Sequence, residues 1–257
     1  PDEWIDRIFA VMAGAQRHTF QILTKRPERA AAYLPGLASR IYDAYGGMER
    51  FGDYHLDGIA HDTAEAWPLP NVWLGTSVED QAAADARIPY LLATPAAVRF
   101  VSAEPLLGPV SLDDMCDGTK FIDALRGNWW HDSDPPYIER GKPHLDWVIV
   151  GGESGPGARP MHPDWARSLR DQCQSAGVAY FFKQWGEYTP DEDGNLMNWQ
   201  HDDPKLAVQV RRWTTACSTE RKSVGKCSFY AYDANGAATR LQRVGKSAAG
   251  RLLDGRT

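Results

Sequence analysis

The segment DWVIVGGESGPGARP, residues 146–160, places an apolar run directly before a loop with four glycines, a glutamate, a serine and an arginine. A short and nearly continuous apolar run of this kind is typical of a strand that is buried on both faces of a parallel sheet. In such sheets, ligands bind beyond the carboxyl ends of the strands. The segment therefore predicts the type of sheet and also the position of a candidate site.

The loop of this segment resembles three known motifs and matches none of them. A nucleophile elbow would need glycine where the chain has Pro156, and a phosphate-binding loop would need lysine where it has Ala158. The dinucleotide pattern G-x-G-x-x-G fits no frame of the loop. We therefore interpret Glu153, Ser154 and Arg159 as candidates for ligand binding, and the glycines as allowing either close approach to a ligand or a tight exit into the next helix.

Four further apolar runs share the layout of an apolar stretch followed by polar or charged residues. Helical patterns separate several of the runs, at 1–13, 28–34, 80–93 and 163–176. Alternating strands and helices predict βα units with right-handed crossovers, in a β/α barrel or a doubly wound sheet. The four runs are TFQILTKRP (19–27), NVWLGTSVED (71–80), VRFVSAEPLLGP (98–109) and VAYFFKQWGEY (178–188).

Two segments interrupt this alternation. Residues 36–70 are rich in Gly, Asp and His, and residues 113–144 contain GNWWHDSDPP. Both carry turn residues without a sustained period, which predicts surface insertions. We therefore predict a β/α part over residues 1–188 and a polar C-terminal extension over 189–257 that packs on it.

The polar side chains that follow the five runs are the candidate site residues. Because the carboxyl ends of parallel strands meet at one edge of the sheet, we expect these side chains to converge. Lysine and arginine bind carboxylates and phosphates, and a carboxylate beside a buried strand is costly unless it is paired or used. The candidate ligand-binding residues are Lys25, Arg26, Ser77, Glu79, Glu104, Glu153, Ser154, Arg159, Lys183 and Gln184.

Some of these residues have structural alternatives. Ser77 is equally typical of a helix cap, and Glu153 and Arg159 are equally suited to pair with each other. Trp185 follows the last candidates and predicts a flat apolar wall. The whole set suits a polar ligand with a carboxylate, hydroxyl groups and an aromatic ring.

Composition limits the partners of the chain. A net charge of −6 and a pI near 5.6 give no support for nucleic-acid binding, although a local basic patch would not show in that sum. No apolar run approaches the ~20 residues that a membrane-spanning helix needs. We therefore expect a cytoplasmic protein that binds a small-molecule or nucleotide-type substrate and no membrane.

Metal-binding signals are weak in this sequence. Three His-Asp dipeptides, at 61–62, 131–132 and 201–202, lie in polar segments that favour solvated surface over metal ligands. The cysteines show no CxxC or CxxxCxxC spacing, which is typical of reduced thiols in a chain that needs no disulfides. The four cysteines are Cys116, Cys173, Cys217 and Cys227.

Six segments carry a resemblance to a known family. They are LTKRPER, NVWLGTSVEDQ, RFVSAEPLLGPV, DWVIVGGESGPGARPMHPDWARSLRDQC, FFKQWGE and RVGKSAAGRLLDGR. The chain resembles the phage-associated family of uncharacterised proteins named after gene products thirty-seven and sixty-eight. Full-length members resemble radical S-adenosylmethionine (SAM) enzymes, so the resemblance implies the later part of a partial, TIM-like β/α barrel with surface insertions.

The same resemblance implies SAM and a [4Fe–4S] cluster as cofactors, with the strand-end residues binding SAM and substrate. The cysteine motif of that family is absent from this sequence, so we expect a fragment that is inactive alone and assembles no cluster. The letters GGE at 151–153 come too late in the chain to take the role of the GGE-like motif of radical SAM enzymes. The alternatives are a non-catalytic binding or scaffold domain and a phage nucleic-acid processing factor.

Overall fold

The computed structural model describes residues 1–46, 67–133, 135–190, 228–232, 238–243, 246–249 and 251–254. These residues form a parallel five-stranded sheet flanked by helices, together with a four-stranded and a three-stranded antiparallel sheet. The predicted α/β class with a parallel sheet is confirmed.

The elements follow the predicted alternation closely. Every predicted strand run and helical pattern contains an element of the expected type, and the boundaries differ by a few residues. In chain order the elements are α1 (Asp2–Gly14), β1 (Phe20–Thr24), α2 (Pro27–Tyr33), a 3-10 turn (Leu34–Gly36), α3 (Leu37–Gly46), β2 (Val72–Ser77), α4 (Gln81–Ala93), β3 (Val98–Ala103), β4 (Met115–Cys116), β5 (Phe121–Asp123), β6 (Asn128–His131), β7 (Tyr137–Glu139), β8 (Trp147–Gly151), α5 (Pro163–Ala176), β9 (Ala179–Gln184), β10 (Tyr188–Pro190), β11 (Ser228–Tyr232), β12 (Ala238–Arg243) and α6 (Lys246–Ala249).

The main sheet has the strand order β1-β2-β3-β8-β9. In the part of the chain that the structure describes, β1 and β9 are the edge strands and the sheet stays open. The finer prediction of a partial TIM-like barrel is therefore not confirmed and stays a prediction. The order still places the carboxyl ends of β3, β8 and β9 side by side, because parallel neighbours end at the same edge.

Aromatic packing explains one glycine within the sheet. Trp147 of β8 meets the rings of Trp73 and Phe100, with ring centroids 6.0 and 5.8 Å away. A Cβ atom at Gly75 of β2 would lie 2.5 Å from the ring of Phe100. Glycine at this position therefore makes room for the buried phenylalanine, since any larger residue would displace it.

Helix α5 shows the start and stop signals expected from the sequence. Pro163 occupies its first turn, and the Nδ1 atom of His162 accepts a hydrogen bond from the backbone N–H of Asp164 at 3.1 Å. Gly177 ends the helix in the left-handed conformation, with φ at 74°. Leu169 and the other buried residues of α5 recur at helical spacing, so this helix presents one apolar face to the core.

The two segments predicted as insertions differ in the structure that is described for them. Residues 113–144 contain the antiparallel sheet β4-β5-β6-β7, with Ile122 and Leu125 buried. Its strands have two to four residues, too few to produce a recognisable period. In the other segment, α3 begins at Leu37, which is fully buried, and residues 47–66 lie outside the described part.

The chain divides into two compact units. The first comprises residues 1–77, 82–102 and 112–148, and the second comprises 78–81, 103–111 and 149–257. The predicted boundary between 188 and 189 stays a prediction. Within the described ranges, every helix is too short or too polar to cross a membrane.

Candidate functional site

The candidate residues fall into two groups. Lys25, Arg26 and Ser77 belong to the first unit, where Lys25 and Arg26 are exposed and Ser77 is buried. Seven belong to the second unit, which contains the chain that leaves β2, β3, β8 and β9. These seven are Glu79, Glu104, Glu153, Ser154, Arg159, Lys183 and Gln184.

The first ion pair of the second unit joins Glu104 to Lys183. The Nζ atom of Lys183 lies 3.0 Å from Oε1 and 3.2 Å from Oε2 of Glu104. Glu104 directly follows β3, whereas Lys183 lies in β9, so the pair spans the intervening strand β8. A Cβ atom at Gly151 of β8 would lie 2.6 Å from Oε1 of Glu104, so this glycine provides the space that the carboxylate occupies.

The second ion pair joins Glu153 to Arg159 after β8. Arg159 donates from Nε to Oε2 at 2.8 Å and from Nη2 to Oε1 at 2.9 Å, and its backbone N–H donates to Oε2 at 2.8 Å. These bonds lower the pKa of Glu153 and raise that of Arg159, and the charge of Glu79 raises the latter further. Glu153 and Arg159 therefore pair with each other, as one of the two predicted alternatives has it. A ligand role for these residues stays a proposal.

The loops after β8 and β9 bind each other through their backbones. The N–H of Gly152 donates to the carbonyl of Gln184 at 2.9 Å, and the N–H of Glu187 donates to the carbonyl of Glu153 at 2.9 Å. The N–H of Gly155 also donates to the Oε1 atom of Glu187 at 3.1 Å. The two loops therefore form one backbone-paired platform that carries Glu153.

Two glycines make this approach possible. A Cβ atom at Gly152 would lie 1.9 Å from the carbonyl oxygen of Trp185, and one at Gly186 would lie 2.1 Å from that of Glu153. Gly186 also has a φ of +84°, which other residues rarely adopt. The two glycines therefore allow two backbone segments of the protein to approach each other closely.

Two residues that follow Lys183 are buried. Gln184 is 7% exposed and Trp185 is 6% exposed, so the interpretation of Trp185 as an open wall for a ligand is wrong. The ring of Trp185 packs edge-on against Phe182, with centroids 4.9 Å apart, and its indole N–H donates to the carbonyl of Leu252 at 2.9 Å. Trp185 is a core residue because both its ring and its N–H are satisfied within the protein.

A cluster of charges that sequence reasoning missed joins the 251–254 segment to α5. Asp254 accepts hydrogen bonds from Nε and Nη2 of Arg167, at 2.8 to 3.2 Å, and from Nη1 of Arg170 at 2.6 Å. The hydrogen bonds from Arg167, followed by those from Arg170, lower the pKa of Asp254 to about 2. Helical spacing places the two arginines on one face of α5, but nothing local in the sequence identifies Asp254 as their partner.

Acid should remove the stabilisation that Asp254 provides. Because its folded pKa is below that of an unfolded aspartate, the contribution is complete above about pH 4 and is lost as the pH falls towards 2. We expect Asp254→Asn to lower the free energy of unfolding by about 1 kcal/mol at pH 7, a value reduced for solvent screening. Urea denaturation of both proteins from pH 7 to pH 3 should show the difference shrinking below pH 4. A difference that stays constant to pH 3 would contradict this assignment.

A [4Fe–4S] cluster does not fit the residues that the structure describes. Cys116 is exposed in the first unit, Cys173 is buried in the second, and the other two cysteines lie outside the described part. Among the described residues, no three His, Cys, Asp or Glu side chains are grouped as a metal site requires. Three neighbouring thiolates, the usual donor set for such a cluster, are therefore not brought together here.

The charged residues of the second unit include both carboxylates and cations, the two kinds of group that the amino-acid headgroup of SAM needs as partners. Its ammonium group needs an acceptor such as the carboxylate of Glu104, and its carboxylate needs a donor such as Lys183 or Arg159. Lys183 and Arg159 are each half exposed, so a ligand can reach both cations.

One His-Asp dipeptide lies in the described part. The ring of His131 stacks on that of Tyr137 with centroids 4.3 Å apart, and its Nε2 atom lies 3.0 Å from Oε1 of Glu139. These contacts show a packing role for His131 in the antiparallel sheet. The dipeptides at 61–62 and 201–202 lie outside the described residues.

Comparison with known proteins identifies the chain at the level of its family. Searches of curated proteins and of solved structures give no match to this chain. The family described as "Protein of unknown function (DUF5131)" matches residues 1–257, and that match includes both units and every candidate site residue. The chain therefore belongs to the DUF5131 family of proteins of unknown function.

Proposed function

We propose that the strand-end groups of the second unit bind a small zwitterionic ligand, the amino-acid headgroup of SAM, in a phage-type, radical-SAM-like protein whose sheet is part of a TIM-like barrel. The observation that carries this proposal is the presence of two carboxylate–cation pairs, Glu104–Lys183 and Glu153–Arg159, at strand exits of one compact unit. The resemblance of the six sequence segments supports SAM as the source of the zwitterion.

The chemistry of the two pairs matches a zwitterion at neutral pH. Glu153 is ionised there, because hydrogen bonds from Arg159 lower its pKa. A planar guanidinium can bind a ligand carboxylate through two parallel hydrogen bonds, and a lysine ammonium adds a third donor. Glu79, whose charge acts on Arg159, adds negative potential that suits a positively charged sulfonium.

The scaffold holds Glu104 in place before any ligand binds. Its side chain is 17% exposed, whereas that of Lys183 is 50% exposed, so the anion is held close to the sheet and the cation extends into solvent. A preorganised group loses less conformational entropy when a ligand binds. Gly151 is central to this arrangement because the carboxylate occupies the space beside it.

Binding of SAM should depend on the position of the Glu104 carboxylate. Glu104→Gln removes its charge, and Gly151→Ala pushes it aside, because the new Cβ atom would lie 2.6 Å from Oε1. We expect either change to weaken SAM binding by roughly 10- to 100-fold, the loss of one charge-assisted hydrogen bond. Isothermal titration calorimetry with SAM and S-adenosylhomocysteine measures this effect.

Two controls make the test specific. Gly108→Ala introduces a methyl group that meets only the Cβ atom of Asp80, at 3.4 Å, and should leave affinity unchanged. Adenosine, which has no amino-acid headgroup, should bind more weakly than S-adenosylhomocysteine. If SAM at millimolar concentration does not bind, or binds the Gln variant equally well, the proposal is wrong and a non-catalytic scaffold becomes the better interpretation.

A further inference from the structure

The 251–254 segment is attached to other parts of the second unit at three points. Asp254 is bound by Arg167 and Arg170 of α5, Leu253 is 2% exposed, and the carbonyl of Leu252 accepts the indole N–H of Trp185. One attachment is ionic, one is apolar and one is a hydrogen bond. Together they connect helix α5 to the chain that leaves β9.

Trp185 links the 251–254 segment to the loops of the candidate site. Its carbonyl oxygen lies so close to Gly152 that no Cβ atom fits there, and the preceding carbonyl, that of Gln184, accepts the N–H of Gly152. Lys183 is two residues before Trp185 in the chain, and Glu153 directly follows Gly152. A displacement of Trp185 would therefore move the backbone that carries both ion pairs.

We infer that Asp254 is a positioning residue, which holds the paired loops after β8 and β9 in place by fixing the 251–254 segment on α5. The consequence for ligand affinity rests on the proposed function. The positioning itself does not, because it concerns hydrogen bonds within the protein.

The arginines explain why a change at Asp254 should act on the loops and spare the helix. Arg167 also donates to Oδ1 of Asp164 at 2.9 Å, and Arg170 donates to Oδ1 of Asp171 at 2.8 Å. Each arginine thus keeps a carboxylate partner within α5 when Asp254 is neutralised. What is lost is the ionic attachment of the 251–254 segment to that helix.

Amide hydrogen exchange of the full chain without ligand tests this inference. Asp254→Asn should accelerate exchange of the Gly152 and Glu187 amides about tenfold, because their hydrogen bonds then open more often. Asp171→Asn is the matched control, since it removes a carboxylate that binds the same Arg170 from within α5. In the Asp254 variant, amides in the middle of α5 should accelerate less than those of Gly152 and Glu187, by no more than the roughly fivefold that a loss of about 1 kcal/mol in global stability produces.

The exchange experiment distinguishes a failure of this inference from a failure of the proposed function. Faster exchange at Gly152 and Glu187 in the Asp254 variant alone supports the positioning role, even if SAM does not bind. Unchanged exchange in that variant, or equal acceleration in the Asp171 variant, overturns it. If SAM binds the native chain and the positioning role holds, the Asp254 variant should bind SAM more weakly by a similar factor.

Discussion

Replacing Gly152 with alanine should lower the free energy of unfolding by about 3 kcal/mol or more, since it forces backbone apart in a packed region. The added Cβ atom would lie 1.9 Å from the carbonyl oxygen of Trp185 and 2.6 Å from its carbonyl carbon. Backbone atoms cannot rotate away as a side chain can. The loops after β8 and β9 must therefore separate, which breaks the hydrogen bond from Gly152 to Gln184. Urea denaturation followed by circular dichroism measures the loss.

Gly108→Ala is the control for this substitution. It makes the same chemical change in the same unit, but the new methyl group meets Asp80 at an ordinary contact distance. We expect it to change stability by less than about 0.5 kcal/mol, because the added methyl group fits beside one side-chain atom without overpacking, although Gly108 is buried. Equal stability of the Gly152 and Gly108 variants would show that the paired loops do not have the close approach described here.

Replacing Trp185 with alanine should cost about 3–5 kcal/mol of stability, the range found when a large aromatic side chain is removed from a core. The ring is 6% exposed and packs against Phe182, so its removal leaves a cavity. The variant also loses the hydrogen bond from the indole N–H to Leu252. Thermal and urea denaturation of the purified chain should both report the loss.

Trp185→Phe separates the two contributions. Phenylalanine keeps most of the apolar contact with Phe182 but has no N–H to donate to Leu252. We expect this variant to lose about 1 kcal/mol from the missing hydrogen bond, with a further cost for the smaller ring. If the alanine variant were no less stable than the phenylalanine variant, the ring would not be the core residue that its burial indicates.

Local patterns predicted most of the main sheet and its helices. The apolar run before the opening glycine loop is strand β8, and the pattern over 163–176 is helix α5 with the predicted proline start and glycine stop. These signals work because burial and capping act over a few neighbouring residues. The sheet of residues 113–144 was missed because its strands are too short to show a period.

The candidate site was predictable in part. Seven of the ten candidate residues lie in one unit, and their role in ligand binding stays a prediction. The interpretation of Trp185 was wrong, because its burial depends on Phe182 and on the 251–254 segment. The role of Asp254 was missed, because its arginine partners are 84 and 87 residues away in the chain.

Local sequence patterns predicted the α/β class, the alternation of strands and helices in the main sheet, and the polar residues at each strand exit, because these depend on composition and period within short segments. Which charges pair depends on the fold. Glu104 meets Lys183 across 79 residues, and Trp185 meets Leu252 across 67. These contacts join segments that only folding brings together: β8 lies between β3 and β9, Gly151 leaves space for the Glu104 carboxylate, and Gly152 allows the loops after β8 and β9 to meet.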